Sequence, residues 1–346
     1  MKKVLRRKWH EVIRGELGCF EDYLLETVTT DDAMLAGAAR GLIAAGGKRI
    51  RPAFAWMAAQ FGGGSREQKL EELMPLLAAL ELVHTASLVH DDIIDRASMR
   101  RGKPTVNFVH GDAAALYVGD YLIGRALELV AQYRNKRVNT SLNHTIWQMC
   151  VGELRQGNDF FRLAQTYRDY FYRIRRKTAL LFAGSCECGA ELAGLADDAI
   201  DTLWRFGYDL GMAFQIIDDM LDLCAGEDEL GKPAANDLRQ GNLSLAVLYV
   251  LRETPDAGRM AECVRILQNG APEERDAALA EALMLVRRAG GLGFAAAMAE
   301  KFLLRAESEL MKLPDIRERA MLLDIMQEFH GQAQKLAVGK AQVLSL

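Results

Sequence analysis

The sequence predicts an all-α fold, a large single-domain helical bundle around a central cavity. Three observations carry that reading. Apolar residues recur at three- and four-residue spacing along most of the chain, strictly alternating β-branched runs are almost absent, and only 7 prolines fall within 346 residues. A hydrophobic content of 50% is ample for a sizeable core, and a net charge of -4 removes any global attraction to nucleic acid or an anionic membrane.

Helices are expected, in order, at about residues 4–28, 31–44, 52–61, 67–97, 113–133, 136–162, 167–193 and 197–224, and then at 242–252, 258–269, 273–289, 291–312 and 315–330. The first follows a basic start, Met1 to Lys8, but Trp9-His10-Glu11 stands where a signal sequence needs its apolar core, so it reads as a solvated or membrane-skimming helix. Gly46-Gly47 ends the second helix, and Pro52 suits the first turn of the third. Gly62-Gly63-Gly64-Ser65 and Gly102-Lys103-Pro104 bracket the fourth, while Gly231-Lys232-Pro233 and Gly270-Ala271-Pro272 punctuate the second half. No connection is long enough for a linker, which favours one bundle with the shorter final helices on its flank.

The six cysteines (Cys19, Cys150, Cys186, Cys188, Cys224, Cys263) are scattered and match no zinc-site spacing. With no secretory signal and no run of 18 or more apolar residues, they read as reduced thiols of a cytoplasmic protein with at most peripheral membrane contact.

Two stretches break the apolar rule. In Leu88-Val89-His90-Asp91-Asp92-Ile93-Ile94-Asp95, three carboxylates interrupt a helix that otherwise reads as buried. Asp91 and Asp95 lie one turn apart on one face, with Asp92 about 100° round from Asp91. Like charges at that spacing repel unless a divalent cation lies between them. The pattern returns at Asp218, Asp219 and Asp222, so two DDxxD clusters stand on two helices that can face each other across one cavity. Mg²⁺ prefers oxygen ligands and usually takes one or two carboxylates together with substrate phosphates. Cations flank the first cluster on both sides. Lys48, Arg49 and Arg51 gather at a helix entrance, and Arg100, Arg101 and Lys103 directly follow the aspartates, a pattern suited to an anionic substrate. His84, Ser87, Asp91 and Asp95 form one stripe along the fourth helix.

These motifs, together with Gly119-Asp120-Tyr121-Leu122, Gly152-Glu153 with Gln156, Lys177-Thr178, and Gly231-Lys232-Pro233 leading into Asn236 to Asn242, resemble the trans-isoprenyl diphosphate synthases over about residues 35–250. The final segment and His84 to Ser87 are most similar to medium- and long-chain members, including the catalytic subunit of heptaprenyl diphosphate synthases. The resemblance implies Mg²⁺ held by Asp91, Asp92, Asp95, Asp218, Asp219 and Asp222, with the helical angle of Asp92 suggesting a supporting role. It implies contacts to an allylic diphosphate from Arg100, Lys177, Thr178, Gln215 and Lys232, and to isopentenyl diphosphate from Lys48, Arg51, His84 and Arg101. Asp91, Asp95, Asp218, Asp219, Lys177 and Lys232 would carry the chemistry. The leaving diphosphate takes the final proton in this family, so no protein base is assigned.

Ala86 and Ser87 lie about one turn, roughly 5 Å, below the aspartates, where short-chain relatives often place an aromatic floor. Their small size predicts a tunnel deep enough for a product longer than four isoprene units, and the resemblance implies a farnesyl or geranylgeranyl primer. The alternatives are a shorter-chain synthase, a class I terpene cyclase, which has no use for an isopentenyl site, and a regulatory subunit, which could dispense with one aspartate cluster. Family members commonly form homodimers, and some long-chain types need a smaller unlike subunit. Beyond Gly331 the tail carries only the widely spaced Lys335 and Lys340, so it is expected to fray or to meet a partner rather than to close the site.

Overall fold

The computed structural model describes residues 14–100, 102–224 and 235–339. Its helices are α1 (Arg14–Thr27), α2 (Ala33–Ala44), α3 (Ile50–Ala59), α4 (Arg66–Ile94), α5 (Val106–His110), α6 (Asp112–Ala131), α7 (Lys136–Asp159), α8 (Tyr167–Ile174), α9 (Leu180–Leu192) and α10 (Asp197–Cys224), followed by α11 (Asn236–Arg239), α12 (Leu245–Glu253), α13 (Ala257–Asn269), α14 (Pro272–Arg288), α15 (Gly291–Leu310) and α16 (Arg317–Ala337). The all-α expectation holds. The described strands, β1 (Met99–Arg100) and β2 (Lys103–Pro104), pair antiparallel with Met99 opposite Pro104.

Local chemistry accounts for the boundaries. Asp32, Ser65 and Asn135 cap α2, α4 and α7, each side chain accepting from the backbone amide three residues on. Thr166 and Asp169 form a reciprocal capping box on α8. Pro75 lies inside α4, and next to it the Tyr133 hydroxyl replaces a helical hydrogen bond: Leu76 N donates to Tyr133 Oη at 2.9 Å, and Tyr133 Oη donates to Glu72 O at 2.7 Å.

The two aspartate-bearing helices are the longest described, and both pack centrally. α4 lies against α6 and α3, α10 against α9 and α15, and α9 bridges the two halves by also packing on α3. Glycines permit that closeness. A Cβ on Gly189 would lie 2.1 Å from Ala55 O of α3, and one on Gly211 would lie 2.7 Å from the Ala179 Cα. Phe54, Phe182 and Phe206 interlock within this layer, with ring centroids 5.6 and 6.3 Å apart. α4 is by itself long and apolar enough to cross a membrane, and most of its apolar stretch is buried in the bundle.

Several expectations are corrected. Between the helices expected at 67–97 and 113–133, where no element is expected, stand β1, β2 and α5. The helix expected over 167–193 is divided by a π-turn at Arg175–Ala179. The helix expected to stop at residue 330 continues through Gly331 to Ala337, because Gln332, Ala333 and Leu336 are buried and packing outweighs the helix-breaking tendency of one glycine. The part of the first helix before Arg14, and residues 340–346, lie outside the described residues.

Candidate active site

The π-turn places Lys177 at the centre of the site. Lys177 Nζ lies 3.4 Å from Asp91 Oδ2 on α4 and 3.1 Å from Glu153 Oε1 on α7, and it donates to Gln156 Oε1 at 3.5 Å. Burial alone would lower the lysine pKa, but Asp91, Glu153 and Asp95 outweigh it and hold the group protonated. Its neighbour Thr178 starts a chain of hydrogen bonds into the second cluster. Thr178 Oγ1 donates to Gln215 Oε1 at 2.5 Å, Gln215 Nε2 donates to Asp219 Oδ1 at 2.8 Å, and Tyr170 Oη donates to Asp219 Oδ2 at 2.8 Å.

Asp237 ties the two clusters together. Burial, with Asp91 and Asp237 adding and Lys177 opposing, pushes Asp95 up to about 6. Burial and Asp237 push Asp219 up to about 7. Asp237 is thus within electrostatic reach of one aspartate of each DDxxD segment. The backbone amide of Asp237 also donates to Asp222 Oδ2 at 3.1 Å. Asp218 is exposed, whereas Asp219 and Asp222 are buried.

Asp92, implied as a metal ligand with a supporting role, pairs with a side chain of the hairpin. It is buried and accepts from Arg100 Nε at 2.7 Å, so its position one helical step round from Asp91 turns it to the hairpin arginine. Among the cations before α3, Arg49 is also redirected: it is buried, has a left-handed backbone (φ 46°), and pairs with Glu21 and Glu81 at 2.6 and 2.7 Å. Lys48 remains exposed, and Arg51 lies 5.2 Å above the Phe182 ring. His84 and Ser87 are half-buried with Ser87 Oγ donating to His84 O at 2.8 Å, and Ala86 is fully buried. Arg101 and Lys232 lie outside the described residues. Gly119 makes room for His90, whose Nε2 would lie 2.1 Å from a Cβ there.

Glu153, Gln156, Tyr170 and Asp237 received no role from the sequence. The three-residue spacing of Glu153 and Gln156 signals a shared helix face, but nothing local announces Tyr170.

The donor set is entirely oxygen, the chemistry Mg²⁺ prefers. Among the described residues no three acidic, histidine or cysteine side chains converge into a finished metal cage. The carboxylates instead engage Lys177, Gln215, Tyr170 and backbone. That arrangement fits an ion that takes one or two carboxylates and completes its shell with phosphate oxygens and water.

A helical bundle with two acidic clusters around a central lysine is the class of protein expected of a prenyl diphosphate enzyme. The polyprenyl synthetase family matches residues 32–283. Heptaprenyl diphosphate synthase component 2 of Geobacillus stearothermophilus is 40% identical over 316 residues, covering 91% of this chain and 95% of that protein. The crystal structure of heptaprenyl diphosphate synthase from Staphylococcus aureus superposes with a TM-score of 0.86 at 34% identity, covering 92% of this chain and 98% of the other. The polyprenyl synthase of Caulobacter crescentus, complexed with calcium and isoprenyl diphosphate, superposes with a TM-score of 0.84 at 29% identity over 97% and 98% of the two chains. The chain belongs to the polyprenyl synthetase family and is a prenyltransferase.

Proposed function

We propose that this chain makes an all-trans polyprenyl diphosphate in the hexaprenyl to octaprenyl range, a precursor of quinone side chains, by Mg²⁺-dependent head-to-tail condensation of isopentenyl diphosphate onto a farnesyl or geranylgeranyl primer. The convergence of α4 and α7 on Lys177 of the π-turn, whose neighbour Thr178 reaches α10, carries the reading, because it offers one cation amid metal-seeking carboxylates. Ala86 and Ser87 below Asp91, and the likeness to heptaprenyl synthases, support the long product.

In this reading Asp91, Asp95, Asp218, Asp219 and Asp222 hold the metal. Bound Mg²⁺ supplies Lewis-acid stabilisation to the departing diphosphate. Lys177, Thr178, Gln215, Arg100 and Lys232 grip that diphosphate, and their donors count most where its charge develops. Asp92 braces Arg100. Lys48, Arg51, His84 and Arg101 hold isopentenyl diphosphate, whose double bond meets the allylic cation in an apolar space that excludes water. The reading extends to a cytoplasmic enzyme with at most peripheral membrane contact, working as a homodimer or with a small unlike subunit. Apolar side chains exposed on α7, Trp147 at 57% and Leu154 at 76%, support pairing with a second chain.

The test is incubation of the purified full chain with Mg²⁺, farnesyl diphosphate and labelled isopentenyl diphosphate, resolving dephosphorylated products by length. A ladder extending past geranylgeranyl is expected, and one ending there overturns the long-product reading. No incorporation by a folded chain overturns self-sufficiency and points to a missing subunit.

A further inference from the structure

Glu153 brings a carboxylate into a site that has to hold a diphosphate, on a helix that bears neither aspartate cluster. It follows Gly152, where a Cβ would lie 2.8 Å from the Arg176 Cβ, so the absent side chain lets α7 close on the π-turn. That approach leaves Lys177 Nζ between carboxylates of two different helices, Asp91 at 3.4 Å and Glu153 at 3.1 Å, with Gln156 Oε1 at 3.5 Å beside the latter.

Substrate binding treats the two carboxylates differently. Asp91 belongs to the cluster that takes Mg²⁺ in the proposed function, and a carboxylate bound to a dication pulls weakly on an ammonium. Glu153 lies outside the DDxxD segments and keeps its pull. Lysine is a point charge on a flexible stem, costly in rotamer entropy to aim. An anchor that persists when Asp91 is engaged removes much of that cost before the anion arrives. The pairing also cancels a charge that would otherwise repel diphosphate. We infer that Glu153, assisted by Gln156, is a positioning residue that holds Lys177 aimed at the allylic diphosphate; the identity of that anion rests on the proposed function.

The test is calorimetric binding of inorganic diphosphate, at fixed Mg²⁺, to the full chain in four forms: wild type, Glu153→Ala, Lys177→Met and the double variant. Glu153→Ala is expected to weaken binding about tenfold in the wild-type background and less than about twofold once Lys177 is gone, the non-additivity of two groups acting as one. Glu153→Gln, which keeps an acceptor without the charge, is expected to fall between wild type and Glu153→Ala. Equal Glu153→Ala penalties in both backgrounds would overturn the inference, because a direct metal ligand or a purely structural residue gives that result. Undiminished affinity in Glu153→Ala would overturn it as well. Diphosphate binding needs no turnover, so a chain that makes no prenyl product fails the proposed activity without altering this cycle. A wild type that binds no Mg²⁺-diphosphate overturns the site and the inference together.

Discussion

Tyr170 donates a 2.8 Å hydrogen bond from its hydroxyl to Asp219 Oδ2, and both side chains are buried. Gln215 donates to the other carboxylate oxygen, so Asp219 is oriented from two helices. Tyr170→Phe leaves one oxygen of a buried carboxylate without its donor, which should cost about 1–3 kcal/mol of stability and raise the Mg²⁺ concentration needed for half-maximal activity. Denaturant melts and a Mg²⁺ titration check both. If neither moves, the hydrogen bond contributes nothing to the site.

Asp209 of α10 is buried and paired with Arg305 of α15 at 2.6 Å. Burial pushes its pKa up from 3.8 to about 6, with Arg305 opposing and Glu309 adding. The folded chain then holds a proton more tightly than the unfolded one. The stability this contributes is fully present below about pH 4 and is lost as the pH rises through about 6. Asp209→Asn removes that dependence, so relative to wild type it should gain on the order of 2 kcal/mol between pH 4 and pH 7. Parallel urea melts at those two pH values decide it; a stability difference independent of pH would refute the shift.

Two helical glycines should respond to alanine with opposite signs. At Gly189 the new Cβ meets the Ala55 carbonyl oxygen at 2.1 Å, so α3 and α9 must part, at a cost of about 1–3 kcal/mol or more. At Gly124, on α6, nothing lies within 4 Å, and alanine should stabilise by about 0.4–1 kcal/mol through the unfolded state. Melting temperatures of the two variants suffice, and a shared sign would contradict the packing described.

Ser87 is half-buried whereas Ala86 is fully buried. Ser87→Phe should therefore stay folded and shorten the product by one or more isoprene units. Ala86→Phe should shorten it too, with an added overpacking cost of about 1–3 kcal/mol. Product ladders identical to wild type in both variants would remove these residues from length control.

The aspartate clusters were legible because carboxylates inside an apolar helical repeat are conspicuous on composition and period alone. The same period marked α10 at its observed limits, 197–224, and the glycine and proline punctuation marked most other boundaries to within a few residues. The π-turn at Arg175–Ala179 was not legible, since it widens the hydrogen-bonding ring without changing residue types in a recognisable way. Nor was the continuation of α16 past Gly331, which depends on what its last turns bury.

The sequence by itself determined an all-helical chain, the two DDxxD segments and the kinds of cation available to them, because periodicity and residue chemistry are properties of neighbours along the chain. Only the tertiary structure decided how those charges are shared: Arg49 drawn into the core by Glu21 and Glu81, Asp92 turned to Arg100, Asp219 held by Tyr170, and Lys177 set between Asp91 and Glu153. Pairing energies depend on distance and burial, and for residues far apart in sequence both are set by how the helices pack.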